Sequence, residues 1–222
     1  MSSDKRFLAL RLEGPLQSWG FDSQYNRRNT GLMPTRSAIG GMCCAALGYE
    51  RGGEKEAAFL IEFEDVRMVA IAIPRNGSKK PLAVRRLQDY HTVQNTKTAD
   101  GKTKDCHITH RQYLTDASFG VVLEGKDDLI KQIASGIENP VWGLWLGRKT
   151  CIPTAPVVAG LRDTKEDALK VLIGDASIES YARQEEVETF AEGKDSLPDR
   201  PVSFASNRRI FTPRRVITRH GS

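Results

Sequence analysis

Cys106, His107 and His110 fall within five residues of one another, close enough to raise the question of a metal. A structural zinc takes four nitrogen or sulfur ligands, usually as two spaced pairs. No second pair at such a spacing occurs in this 222-residue chain, so no metal or other cofactor is expected. Tyr90, His91, His107 and His110 with a nearby lysine are instead the side chains from which a metal-free ribonuclease builds its acid and base. Phosphate-loop and nucleophile-elbow spacings do not occur, and "LGRKT" at 146–150 lacks the strand-to-helix setting of the former. The other candidates bind rather than react. Gln17, Ser18 and Trp19 follow a predicted first strand and offer an indole face and short polar groups to a splayed base; a buried core position is the competing placement for Trp19. Arg27 and Arg28 suit phosphates. Thr35, Arg36 and Ser37 open a helix whose free N–H groups favour an anion, and Arg36 is the strongest single candidate. Gly147, Arg148 and Lys149 form a second anion loop.

The elements that must position these residues follow from periodicity. Residues 7–13 form a first strand, closed by Gly14-Pro15, and 21–32 are polar loop. Ile39, Met42, Cys43, Ala46 and Leu47 mark one face of a helix, with Thr35 or Ser37 as cap and Gly48 as stop. Gly40 and Gly41 inside it weaken the helix and let something approach its backbone. Residues 66–73 and 119–123 are strands, Leu129, Ile130, Ile133 and Ile137 mark a second helix, and a further strand contains Val157-Val158. Between them, residues 75–115 predict an extended β-hairpin turning at Asp100-Gly101. The β-α-β, β-α-β order predicts an α+β, ferredoxin-like or RNA-recognition-motif-like domain over 1–161 with an inserted hairpin. Residues 162–222 are expected to form a smaller segment, with a helix near 167–172 and basic strands at its end.

Charge is distributed in blocks. Residues 75–111 carry nine bases against three acids, residues 124–199 fifteen acids against nine bases, and the last twenty-three residues six arginines and no acid. Tyr90, His91 and Tyr113 are interleaved with the charges in and beside the first block, Arg111 among them, which favours stacking of single-stranded bases beside phosphate pairing. Two basic blocks around an acidic one predict a polyanion surface and a separate second surface. The longest apolar run, 68–73, is too short to cross a bilayer, and no leader peptide is expected. Four cysteines without paired spacing suit a reducing cytoplasm.

Five ordered blocks, "LRLEGPLQSWG", "MPTRSAIGG", "LQDYHTV", "RQYLTDASF" and "LGRKTC", resemble the CasD-type subunits of type I-E CRISPR surveillance complexes (Cascade), members of the Cas-five family in the RAMP superfamily. The resemblance runs from about Phe7 to about Leu161; beyond it only "SNRR" and the basic tail are similar. It implies a ferredoxin-like fold and a non-catalytic subunit that holds the 5′ handle of the CRISPR RNA. It further implies a thumb hairpin packed over the guide beside the CasC backbone subunit. Contact with the large CasA subunit is also implied, with target DNA near the seed met only indirectly. A related type I-C subunit cuts repeat RNA with a Tyr and a Lys-His pair; this sequence has no Lys-His dipeptide. A metal-free endoribonuclease acting on CRISPR repeats stays the alternative. The nuclease domain that follows this module in some relatives is not expected here.

Overall fold

Leu8, Leu10 and Leu12 face one core while Ala9 between them faces another, so the first strand is buried on both sides. The computed structural model describes residues 5–20, 22–23, 26–75, 84–98, 100–187 and 189–221. Its strands are β1 (Lys5–Glu13), β2 (Leu16–Gln17), β3 (Trp19–Gly20), β4 (Arg27–Arg28), β5 (Thr30–Gly31), β6 (Arg67–Ala72), β7 (Arg85–Lys97), β8 (Thr103–Thr115), β9 (Ser118–Lys126), β10 (Val158–Arg162), β11 (Arg183–Glu186), β12 (Asp195–Ser203) and β13 (Ile210–Arg219). Helices α1 (Arg36–Ala46) and α2 (Glu54–Glu64) precede β6; α3 (Asp127–Glu138) follows β9, and α4 (Lys165–Ile173) follows β10.

The main sheet runs β10-β1-β9-β6-β11-β13-β12, antiparallel throughout. Its first four strands have the 4-1-3-2 order of a ferredoxin-like unit, with α1 and α3 as the crossover helices. The remaining three continue the same sheet: β11 pairs with β6 from Arg183↔Ile71 to Glu185↔Val69. The boundary expected at residue 161 therefore does not interrupt the sheet, because the C-terminal strands bond directly to its edge. Helices α1, α2 and α3 cover one face through Ile39, Met42, Phe59, Phe63, Ile130 and Ile133. Helix α4 covers the other, packing Ala168 and Leu172 on Ala9, Val69, Ile71 and Val122. That second face is the one an RNA-recognition motif leaves open for bases; here α4 closes it.

Helix α1 forms where its apolar spacing predicts. Thr35 caps it, its hydroxyl accepting from the Ala38 N–H, and Gly48 follows at φ +70°. Helix α2 has no counterpart in the sequence reading. Its charges surround the helix and its cap is Gly53, without a side-chain bond, so neither periodicity nor a cap residue announced it. The loop expected over 21–32 contains the short strands β4 and β5; residues 21, 24 and 25 lie outside those described. Among the described residues no helix is long and apolar enough to cross a membrane.

The hairpin β7–β8 pairs in one continuous register from Arg85↔Thr115 to Lys97↔Thr103. Its turn closes through the Gly101 N–H to the Thr98 carbonyl, with Gly101 at φ +79°. Residues 76–83 of the expected hairpin span lie outside those described. Among the described residues the hairpin is anchored towards its base: β2 pairs Leu16 and Gln17 with Thr115 and Leu114, and β4 runs parallel to β8 at His110 and Arg111. Tyr113 and Leu114 are buried there, while most of β7 is exposed.

Candidate nucleic-acid interface

Helix α1 separates two differently built sites. On one side of its first turn Arg36 is 0% exposed. Its guanidinium donates to the Glu186 carboxylate at 2.5 Å and to the Phe63 carbonyl at 2.5 Å, and it lies 4.9 Å over the Phe63 ring. The Arg36 backbone N–H donates to the Asp199 carboxylate at 2.8 Å, and Asp199 also takes the Arg214 guanidinium at 2.6 Å. Burial pulls the Arg36 pKa below its ordinary value, with the Glu186 charge opposing. The helix N-terminus expected to hold a phosphate thus already holds a carboxylate of its own chain. Arg36, expected to bind RNA, is instead a buried clamp joining α1 to β11 and, through Asp199, to β12. Gly40 belongs to this side too: a Cβ there would press on Phe63 and Pro201 at 3.3 Å.

On the other side lies a groove of about 450 Å³. Ser18, Arg28, Thr35, Ser37, Gly147, Arg148 and Lys149 line it, so the structure unites seven of the expected residues. Gly41 contributes bare helix backbone to the wall, with Phe204 3.7 Å from where a Cβ would stand. Residues not singled out in the sequence complete the wall: Tyr49, Arg51, Trp142, Trp145, Phe204, Arg209 and Phe211. Their only sequence signal is type, exposed arginine and aromatic, since they come from four separate segments. Trp142 is 42% and Phe211 41% exposed, and half-exposed rings beside cations are what stacked single-stranded bases need. Among the described residues, Arg28, Arg51, Lys149 and Arg209 form no ion pair.

The basic loop is held against the turn after β1. Ser18 N–H donates to the Leu146 carbonyl at 2.9 Å; Gly147 is at φ +98° and a Cβ there would collide with the Ser18 carbonyl, so both the angle and the close approach require glycine. Arg148 reaches the carbonyls of Gln112 at 3.1 Å and Arg28 at 2.7 Å and lies 4.8 Å over the Tyr113 ring. It therefore ties the groove to the hairpin base as well as lining it. Lys149 Nζ stands 5.8 Å from the Trp145 ring.

Two more expectations are corrected by burial. Trp19 is 0% exposed, edge-on to Phe119 at 6.2 Å, and fills the core instead of offering a stacking face. Gln17 is equally buried and donates to the carbonyls of Leu12 and Ala117, so its amide crosslinks strand ends. The hydroxyl of Ser18 is turned inward to the Gln112 carbonyl, leaving mainly backbone on the groove. The C-terminal arginines are divided likewise: Arg214 is buried on Asp199, and Arg215 holds the carbonyls of Phe190 and Gly193.

Arg27, Tyr90, His91 and Arg111 lie outside the groove, on or beside the hairpin. Tyr90 is 61% exposed and meets His110 edge-on at 5.3 Å; Arg27 aligns with His110 across the β4–β8 ladder. His91 and His107 belong to the opposite face, so the Tyr-His set considered for cleavage is split between two faces. Arg111 donates to the Thr109 hydroxyl at 3.2 Å. Among the described residues no group of three or more His, Cys, Asp or Glu is placed to hold a metal.

Comparison with known proteins adds an independent line. The family model described as CRISPR-associated protein (Cas_Cas5) matches residues 7–217. The Escherichia coli (strain K12) protein "CRISPR system Cascade subunit CasD" is 30% identical over 203 residues, 89% of either chain. A chain of a solved "CRISPR RNA-guided surveillance complex" superposes with a TM-score of 0.73 at 28% identity, covering 96% of this chain and 90% of that one. A "Crystal structure of Cas protein" superposes at 0.65 and 29% identity, covering 96% and 93%.

Proposed function

Because the chain belongs to the Cas5 family of CRISPR-associated proteins, we propose that it is a Cascade subunit whose α1 groove holds the 5′ handle of the CRISPR RNA without cutting it. The observation that carries this reading is the groove itself: Arg28, Arg51, Lys149 and Arg209, without an ion pair among the described residues, beside the exposed rings of Trp142 and Phe211. Exposed cations without carboxylate partners are free for phosphates, and exposed rings are free for bases. Both groups converge in one concavity of a size suited to a few nucleotides. The hairpin, anchored towards its base, extends the cationic surface as a thumb over the guide, with Arg27, Tyr90, His91 and Arg111 at its root. Its outer half is the surface for the CasC backbone subunit, and CasA meets the same end of the complex.

The test is a titration of a labelled handle oligoribonucleotide across a series of salt concentrations, run beside incubation of a full repeat hairpin in EDTA. Binding should weaken linearly in log salt, with a slope of about −0.7 for each phosphate engaged, and the hairpin should stay intact. Site-specific cleavage abolished by changing His91, His107 or His110 would overturn the reading in favour of a metal-free ribonuclease.

A further inference from the structure

Among the described residues the groove contains one acid, and phosphate binding does not account for it. Glu56, in the first turn of α2, is 1% exposed and lines the groove together with its cations. Its Oε1 accepts the Phe204 backbone N–H at 3.0 Å, which fixes the rotamer and seats residues 203–205. Its Oε2 is buried and has no hydrogen-bond partner. Glu56 forms no ion pair with any groove cation among the described residues. A buried carboxylate oxygen without a donor is strongly unfavourable, and a negative charge repels the backbone of any nucleic acid that enters. What relieves both is a nucleotide group that donates a hydrogen bond, and the edge of a base supplies one.

We infer that Glu56 determines base specificity in the groove: Oε2 accepts an N–H from the exocyclic amino group of cytosine or adenine and disfavours uracil. The physical reason is the sign of the edge. Cytosine and adenine present an amino donor where uracil presents the O4 carbonyl, and an oxygen facing a carboxylate is repelled. Tyr49, Trp142, Phe204 and Phe211 line the same cavity and supply faces for the ring. Arg51 and Arg209 are there for the flanking phosphates. The inference rests on the groove being the RNA site.

The experiment uses the purified full chain and three octaribonucleotides: cytidine, uridine, and N4,N4-dimethylcytidine, which keeps the cytosine ring but has no amino N–H. The unmodified protein should bind the cytidine octamer about tenfold more tightly than either of the others. Glu56→Gln keeps an acceptor for the Phe204 N–H and converts the other atom to a donor, so the preference should turn toward uridine. If the three octamers bind equally in a salt-dependent manner, Glu56 reads no base and the inference is overturned while the RNA groove stands. If none binds, the groove assignment falls and takes the inference with it. Should Glu56→Gln fail to fold, the dimethylcytidine comparison on the unmodified protein decides alone.

Discussion

Behind the first turn of α1, Arg36 and Arg214 are buried and each is matched by a carboxylate, Glu186 and Asp199. In front of the same helix Arg28, Arg51 and Arg209 stand in the groove wall with no ion pair among the described residues. Residue type is identical in the two places, and only the distribution of acids differs. Where β11 and β12 bring carboxylates to α1, an arginine becomes part of the fold. Where no acid pairs with it, it remains available to an external anion. The tryptophans divide in the same way: Trp19 fills the core and Trp142 remains half exposed.

The largest effect should come from breaking the buried side. Arg36→Ala leaves the buried Glu186 with only the Arg200 guanidinium, at 3.6 Å, and the Met68 N–H as partners and should lower stability by about 3 kcal/mol, read by urea or thermal unfolding. Trp19→Ala should cost about 3–5 kcal/mol by opening a core cavity. In both variants the protein that remains folded should bind handle RNA normally. Lost handle affinity in a fully folded Arg36→Ala protein would mean that the buried and the exposed arginines are one site after all.

On the exposed side the signs invert. Arg28→Ala or Arg209→Ala should leave the melting curve unchanged and weaken handle binding by about 1.5–3 kcal/mol, the range for hydrogen bonds to charged groups. Trp142→Ala should cost about 1–3 kcal/mol of affinity through lost stacking. Salt titrations sharpen the contrast, since the arginine variants should flatten the slope and the tryptophan variant should not.

Replacing residues 96–104 with a short Gly-Ser turn should alter neither stability nor handle binding much, because the ends of β7 and β8 that meet there are mostly exposed. What should fail is co-purification with CasC and guide RNA. Handle binding lost with assembly intact would reverse the assignment of groove and thumb.

The smallest effect concerns thiols, and it checks the burial map without touching function. Cys106 on the hairpin is exposed; Cys43, Cys44 and Cys151 are buried. Burial, helped by the Glu56 charge, pushes the Cys44 thiol up to about 12. A thiol-labelling reagent at neutral pH should therefore modify one cysteine rapidly and the others only on unfolding. The linkage follows from the direction of the shift. A thiol whose folded pKa is raised favours the folded state only while it stays protonated, so stability should decline above about pH 9 as the unfolded chain ionises.

Much of the architecture was legible because it is local. The α1 face at Ile39, Met42, Cys43 and Ala46, the α3 face at Leu129, Ile130, Ile133 and Ile137, and the hairpin turn at Gly101 are short-range patterns with fixed periods. Gly147, Arg148, Lys149, Arg28, Thr35 and Ser37, which the sequence offers as candidate anion contacts, all line the groove, whereas Arg36 between the last two is buried away from it. Helix α2 escaped because its amphipathicity is weak, and with it went Glu56. Tyr49, Arg51, Trp142 and Phe211 escaped because nothing in a one-dimensional reading joins position 49 to 142 or 211.

By itself, then, the order of residues determined the strand and helix periods, the thumb hairpin, the family resemblance and the cationic character of two blocks. Only the tertiary structure decided which cation serves the fold and which faces outward. The reason is that an arginine's role depends on the nearest carboxylate in space, and for Arg36 that carboxylate lies 150 residues away in the chain, on β11. A count of charges sees Arg36 and Arg28 as equals; the sheet that carries Glu186 and Asp199 back to α1 makes one of them a buried clamp and leaves the other free in the groove.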